Sequence, residues 1–175
     1  MSGTRFVVWR GTGEPGAALA EAATIELTGD GLRATGTQIG AGYRVDYELD
    51  ATGEGFVTNS LTVAARGPDW SRTLTLRRDE MGDALDCDLA LSPLTNAMPI
   101  LRHGLHEQPG EADFTMAWVD VPSLTVTESR QRYEHVAPGV VRYVDRGAFD
   151  GFTAELELDP DGLVVRYPGL AERVG

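Results

Sequence analysis

Apolar and polar residues alternate along most of this chain, and no other feature of the sequence constrains its fold as strongly. The pattern is clearest near the end of the chain, where every second residue is apolar, namely Phe152, Ala154, Leu156 and Leu158. The residues between them are Thr153, Glu155, Glu157 and Asp159. Because successive side chains of a β-strand point to opposite faces of a sheet, this period of two predicts a strand with one buried face.

Turn sequences separate the alternating segments. Asp159-Pro160-Asp161-Gly162 and Gly29-Asp30-Gly31 each stand between two such segments and predict hairpins, from residue 152 to 167 and from residue 24 to 35. The same pattern predicts further strands at residues 5–10, 43–49, 56–66, 71–78, 86–91, 112–121, 124–134 and 140–145. About a dozen strands with short turns indicate a mainly β protein with a many-stranded antiparallel sheet.

One segment, residues 92–105, breaks the alternation and predicts a single short α-helix at about residues 94–104. Its apolar residues have helical spacing and form one stripe: Leu94, Ala97, Met98, Leu101 and Leu105. With Asn96 as the N-cap, Pro99 lies in the first turn, where N–H groups have no partner within the helix. Gly104 is expected to end the helix. So short a helix needs its stripe buried against the sheet. Residues 14–22 could form a further helical turn or two.

Length and charge restrict the protein class. A chain of 175 residues with 42% hydrophobic content fills one core, so we expect a single domain over residues 1–175. Its 15 basic residues are all arginine, and its 27 acidic residues give a net charge of −12. Such an acidic chain repels phosphate backbones, so nucleic acid and anionic membrane surfaces are not expected as partners.

The single cysteine and the start of the chain bear on the compartment. Cys87 cannot form an internal disulfide, and the first 25 residues lack the pattern of a secretory signal. No apolar run reaches the roughly 20 residues that cross a bilayer. We therefore expect a cytoplasmic protein without a transmembrane segment.

Four motifs in order resemble the family named Putative glycolipid-binding, over nearly the whole chain from Trp9 onward. They are Asp86-Cys87-Asp88-Leu89, Ser92-Pro93-Leu94-Thr95-Asn96-Ala97-Met98-Pro99-Ile100, Gln131-Arg132-Tyr133, and Gly162-Leu163-Val164 with Tyr167-Pro168-Gly169-Leu170. The resemblance implies a spiral β-roll, in which a long sheet wraps around one helix. It also implies an amphiphilic ligand, such as a glycolipid or another lipid, in a cavity between sheet and helix.

The chain departs from the family pattern at three positions. Leu94 replaces the usual phenylalanine, Leu101 stands where the first arginine of a pair is common, and Ala171 replaces an aromatic residue. Arg102 is thus the surviving arginine of the pair. These departures leave the predicted fold intact and weaken the case for a shared headgroup contact.

A glycolipid site needs an apolar cavity, aromatic rings for sugars and a few hydrogen-bonding groups. On this basis we expect ligand contacts at Asn96, Met98, Leu101, Arg102, Trp118, Arg132, Tyr133 and Tyr167. Several of these residues also have ordinary structural roles. Asn96 is expected to cap the helix, and the positive charge of Arg102 is expected to interact favourably with the helix C-terminus. Arg132 and its neighbour Gln131 point to opposite faces of one strand, so at most one of the two faces a cavity.

Non-catalytic binding is the leading hypothesis, and an enzyme is the alternative. Asp86 and Asp88 share one strand face and could act with His103 or His106 on a sugar or lipid derivative. The thiolate of Cys87 is disfavoured between two acidic residues. The sequence has no phosphate-cradling glycine loop, and a polar loop explains its histidines better than a metal site does. We therefore expect no cofactor and no metal. A homodimer formed through an apolar patch is a third possibility.

Overall fold

The computed structural model describes residues 2–14, 18–147 and 151–175, in which thirteen strands form one curved, open sheet. The strands are β1 Gly3–Gly11, β2 Ala20–Leu27, β3 Leu32–Gly40, β4 Tyr43–Ala51, β5 Ser60–Arg66, β6 Ser71–Arg77, β7 Asp86–Leu89, β8 Glu111–Val119, β9 Val126–Ala137, β10 Val140–Asp145, β11 Thr153–Leu158, β12 Val164–Tyr167 and β13 Ala171–Arg173. The helix α1 covers Ala97–His103, and short 3-10 turns cover Glu54–Phe56, Arg78–Glu80 and Leu94–Asn96.

The sheet consists of two antiparallel meanders that meet at its centre. Its strand order is β6-β5-β4-β3-β2-β1-β13-β12-β11-β10-β9-β8-β7. The two meanders join where β1 pairs with β13, with Trp9 opposite Arg173 and Gly11 opposite Ala171. The ring nitrogen of the buried Trp9 also donates to the carbonyl of Val164 at 2.8 Å, which ties β1 to β12. All strand pairs are antiparallel in the described residues except β7 with β8, which is parallel.

The strand β7 lies inside the roll, with both of its faces covered. Cys87 and Leu89 on one face pack in a core cluster with residues of β1 to β5. The other face carries Asp86 and Asp88, which lie toward a second cluster built around Tyr133. The sheet therefore curls so that its β7 edge enters the interior, which is the spiral roll that the family resemblance implies.

The helix α1 begins directly after Asn96, as predicted, but the side chain of Asn96 does not cap it. Asn96 precedes α1, but its backbone is helical (φ −66°, ψ −20°) and its side chain makes no cap hydrogen bond. Instead, its amide nitrogen donates back to the carbonyl of Pro93 at 3.2 Å. Asn96 thus holds the predicted position but not the predicted capping role, because the 3-10 turn Leu94–Asn96 leads directly into the helix. Pro99 is the third residue of α1 and lies in its first turn, as predicted.

The helix ends at Gly104, as predicted. Gly104 adopts the left-handed conformation (φ 62°), and its N–H donates to Leu101 O while the N–H of Leu105 donates to Ile100 O. This pair of bonds satisfies carbonyls that would otherwise lack a partner at the helix end. In the predicted stripe Leu94, Ala97, Met98 and Leu105 are fully buried, and Leu101 is partly buried.

Two local predictions fail. The segment from residue 56 becomes a strand only at Ser60, because Glu54–Phe56 forms a 3-10 turn. The helical turn expected within residues 14–22 is contradicted from Ala20 onward, where the strand β2 begins. Residues 15–17 of that segment lie outside the described residues. No helix among the described residues combines the length and apolar character needed to span a bilayer.

Candidate functional site

A cavity of about 500 Å³ lies between β7, the inner faces of β9 and β10, and the turn that links β12 to β13. The segment from Ala90 to Ser92, which leads from β7 toward the helix, forms another side. The only residue of the helical segment 94–103 that lines the cavity, in the part of the chain described, is Asn96. The cavity thus lies beside the entrance to the helix, and the apolar stripe of the helix belongs to the core.

Aromatic side chains form one wall of the cavity. The wall consists of Trp118 of β8, Tyr143 of β10, Tyr167 of β12, and Phe152, which immediately precedes β11. The ring of Tyr143 lies 6.2 Å from that of Tyr167 and 6.1 Å from that of Phe152, in tilted contacts. Phe152 is 45% exposed and stands at the mouth. These rings give the cavity apolar surfaces next to polar atoms, a combination suited to an amphiphilic ligand.

Polar side chains form a second surface of the cavity, centred on Asp88. Gln131 Nε2 donates to Asp88 Oδ2 at 2.6 Å, and Thr95 Oγ1 donates to Asp88 Oδ1 at 2.8 Å. Gln131 also donates to Ser129 Oγ at 3.3 Å. Burial raises the pKa of Asp88, while the hydrogen bonds from Gln131 and Thr95 act in the opposite direction. The carboxylate is fixed in position and keeps acceptor capacity for a ligand.

The hydroxyl of Tyr133 links this polar surface to the helix. It lies 2.8 Å from Asn96 Oδ1 and 3.1 Å from Gln131 Oε1. Because the hydroxyl is fully buried, its pKa is raised well above the usual value of 10, and the negative charge of Asp88 adds to that shift. Tyr133 therefore remains a neutral donor at any pH near neutrality.

A second carboxylate, Asp145, lies at the end of β10. Its Oδ2 accepts from the hydroxyl of Tyr143 at 3.3 Å, and its Oδ1 accepts from the N–H of Gly147 at 2.8 Å. Asp145 is 2% exposed and lines the cavity with Asp88. Two carboxylates therefore border one small space.

A third buried carboxylate, Glu21, lies behind Ser92. Its Oε1 accepts from Tyr47 at 2.6 Å and from Ser92 at 2.7 Å, and its Oε2 accepts from Gln38 at 3.3 Å. Burial raises the pKa of Glu21 to about 7, although these three hydrogen bonds favour the charged form. Glu21 does not line the cavity itself, but it contacts Ser92, which does.

The structure brings some of the expected ligand residues together and places others elsewhere. Asn96, Trp118 and Tyr167 line the cavity, and Tyr133 lies directly behind it. Met98 is fully buried in the core, and Leu101 is partly buried against that core. Neither of them lines the cavity.

The two expected arginines have other partners. Arg102 forms a two-pronged ion pair with Asp86, donating from one nitrogen at 2.9 Å and also from the other. It donates as well to the carbonyls of Gly55 at 2.6 Å and Phe56 at 3.1 Å. Arg132 lies on the outer face, where it donates to Asp113 Oδ1 at 2.8 Å. Its strand neighbour Gln131 is the residue that faces the cavity.

The residues of the enzyme alternative are not arranged as a catalytic group. Asp86 is held by Arg102, whereas Asp88 faces the cavity. His103 is exposed and packs edge-on against Phe114, and neither His103 nor His106 lines the cavity. No cluster of three or more His, Cys, Asp or Glu side chains suited to a metal ion occurs within residues 2–14, 18–147 and 151–175. Cys87 is fully buried, and burial raises its pKa to about 12.

Several residues of the site were not identified as ligand contacts from the sequence, although a signal was present. Asp145 follows Val141 and Tyr143 on the inward face of β10, and Ser129 shares the inward face of β9 with Gln131. Glu21 precedes Ala23 and Ile25 in the same way on β2. A polar residue at an inward position of an alternating strand indicates a buried polar group. Asp145, Ser129 and Glu21 all stand at such positions.

Comparison with known proteins adds family-level and fold-level information. Residues 6–173 match the sequence model of the family described as Putative glycolipid-binding. The crystal structure of a DUF1089 family protein from Pseudomonas aeruginosa, at 1.80 Å resolution, superposes with a TM-score of 0.74 and 24% sequence identity. The match covers 91% of this chain and 94% of that chain, and it shows the shared fold. No curated protein matches the sequence.

Proposed function

Because the chain belongs to the family named Putative glycolipid-binding, we propose that it binds a glycolipid or related amphiphile without catalysis, with the polar headgroup in the cavity beside Asp88. The observation that carries the proposal is the meeting of an aromatic wall and a hydrogen-bonded polar surface in one space. Trp118 and Tyr167 line this space together with Asp88 and Gln131, and Trp118 is the register partner of Asp88 on the neighbouring strand.

The size of the cavity supports a headgroup and does not support a whole lipid. Its volume of about 500 Å³ lies within the usual range of small-molecule sites, roughly 300–1,000 Å³. Long acyl chains do not fit in this volume together with a sugar. The lining offers an apolar path for them toward solvent, because it includes the exposed Phe152 and the partly buried Leu91 and Leu170.

The polar surface supports binding because its side chains hold one another in place through hydrogen bonds. Asp88 is held by Gln131 and Thr95, and Gln131 is held in turn by Tyr133. Side chains that are already ordered lose little entropy on binding. Fixed acceptors beside aromatic faces suit a ring with hydroxyl groups.

Lipid extraction followed by mass spectrometry of the purified protein tests the proposal first. We expect an amphiphile to be recovered in an amount comparable to the protein. The second measurement is calorimetric titration with octyl glucoside below its micelle-forming concentration, with saturable binding as the expected result. An empty extract together with no saturable binding would overturn the proposal.

Two tryptophan variants test whether octyl glucoside binds in this cavity. Trp118→Leu is expected to weaken octyl glucoside binding about tenfold, since it removes an aromatic wall. Trp70→Leu is the matched control, because Trp70 lies between β5 and β6, contacts Arg72 and is not part of the cavity lining. Equal affinities in the two variants would move the site away from this cavity.

A further inference from the structure

We infer that the cavity selects an uncharged glycosyl headgroup and rejects headgroups that carry a phosphate, sulfate or carboxylate. The inference rests on the proposed function and specifies the chemical class of its ligand. Its basis is the distribution of charge around the cavity.

The side chains that line the cavity include acidic residues and no basic ones within the described chain. Asp88 and Asp145 border the interior, and Glu128 stands at the rim. The sequence contains no lysine, so arginine and histidine are the basic side chains to consider, and neither type lines the cavity. Sites that bind phosphate or carboxylate normally present arginine, lysine or a series of backbone N–H groups.

The arginines near the cavity are committed to other partners. Arg102 is nearly buried in its ion pair with Asp86 and also donates to two carbonyls. Arg130 is exposed and pairs with Glu128 at 3.2 Å. Arg132 points away from the cavity and pairs with Asp113. An anionic headgroup would have to break one of these pairs to find a positive charge.

Carboxylates in such a cavity favour hydroxyl groups. Each carboxylate oxygen accepts more than one hydrogen bond, and Asp88 receives one at each oxygen, from Thr95 and from Gln131. The remaining capacity suits two neighbouring sugar hydroxyls, which donate charge-assisted bonds to one carboxylate. The same carboxylate repels an anion at short range, and partial burial weakens the screening of that repulsion.

Three octyl amphiphiles test the inference on the wild-type protein, each below its micelle-forming concentration. They are octyl glucoside, octyl glucuronide, which has the same ring with a carboxylate, and the uncharged octyl tetraethylene glycol ether, which has no sugar. By calorimetry at pH 7.5 and low salt, the glucoside is expected to bind at least tenfold more tightly than either of the others. Added salt should narrow the difference between glucoside and glucuronide.

The outcomes separate this inference from the proposed function. Equal or tighter binding of the glucuronide would overturn the charge selection, and binding of all three with equal affinity would overturn sugar selection while leaving amphiphile binding intact. Binding of none would overturn the proposed function itself.

Two aspartate variants test whether Asp88 is responsible for the preference for the glucoside over the glucuronide. Asp88→Asn should weaken glucoside binding about tenfold and reduce the discrimination against the glucuronide. Asp113→Asn, on the outer face, should leave both affinities unchanged within a factor of two. Circular dichroism confirms that the variants fold, and unchanged discrimination in a folded Asp88→Asn protein would refute the role of this carboxylate.

Discussion

The hydroxyl of Tyr133 on β9 lies 2.8 Å from Asn96 Oδ1 at the start of the helix, and both groups are buried. This bond connects the sheet to the helix at the point where the cavity begins. It also fixes which way the Asn96 amide faces, since the amide nitrogen donates back to Pro93. One hydroxyl therefore orders both the helix entrance and one side of the cavity.

Replacing Tyr133 with phenylalanine should reduce stability. The variant keeps the ring and leaves Asn96 Oδ1 buried without a donor, which costs about 1–3 kcal/mol. Chemical denaturation measures the free energy of unfolding. Tyr43→Phe is the control, because Tyr43 is only partly buried, and burial and the charge of Asp120, rather than a hydrogen bond, raise the pKa of its hydroxyl; its change should stay within about 0.5 kcal/mol. Similar losses in both variants would contradict the assigned role.

The buried Glu21 should make stability depend on pH. Its pKa is raised from 4.5 to about 7, so the folded state binds the proton more tightly than the unfolded state does. The free energy of unfolding should therefore be highest below pH 4.5, as far as this group is concerned, and fall as pH rises to about 7. The full loss corresponds to roughly 3 kcal/mol at 1.36 kcal/mol per pKa unit.

Glu21→Gln tests this dependence by removing the titration while keeping the size of the side chain. At pH 8 the variant should be more stable than the wild type, and the fall between pH 4.5 and 7 should shrink. Glu26→Gln is the matched control, because Glu26 lies on the same strand and is exposed. Denaturation curves across this pH range that coincide for the wild type and the Glu21 variant would refute the prediction.

The ion pair between Arg102 and Asp86 should be costly to break from one side. Arg102→Met leaves a fully buried carboxylate without its positive partner and removes two hydrogen bonds to the 54–56 turn. A loss of about 3–5 kcal/mol is expected. The double variant with Asp86→Asn should lose less than the sum of the two single variants, since it no longer buries an unpaired charge.

An exposed ion pair provides the comparison for the buried pair of Arg102 and Asp86. Arg166 pairs with Glu157 at 2.9 Å, and both side chains are half exposed. Arg166→Met should cost about 0–1 kcal/mol. If the loss at Arg102 were no larger than the loss at Arg166, burial would not be the reason for its importance.

The sequence predicted most of the sheet because its strands have one buried face. The alternation located β11 and the hairpin from β2 to β3, and the helical spacing with Gly104 located the helix. The strand β13 was missed because three residues are too few to show a period. The parallel pairing of β7 with β8 was missed because it depends on how the whole sheet curls.

The site was less predictable than the fold because its walls come from distant segments. Trp118, Tyr167 and Asn96 were expected from their chemistry, but their meeting with Asp145 depends on the curvature of the sheet. The partner of Arg102 could not be read from a helix position alone, since Asp86 reaches it only once β7 has entered the roll. Periodicity indicates which side chains point inward, and tertiary structure decides what they meet.

The pairing of β1 with β13 has a consequence for how the chain folds. Apart from the parallel pair of β7 and β8, each meander is built from hairpins between neighbouring strands, whose contacts are local and quick to form. The junction between the meanders joins segments near residues 9 and 173 through three register pairs, so it closes the longest loop in the protein. The entropic barrier to folding should therefore be concentrated at this one junction, where two partly formed half-sheets find each other late.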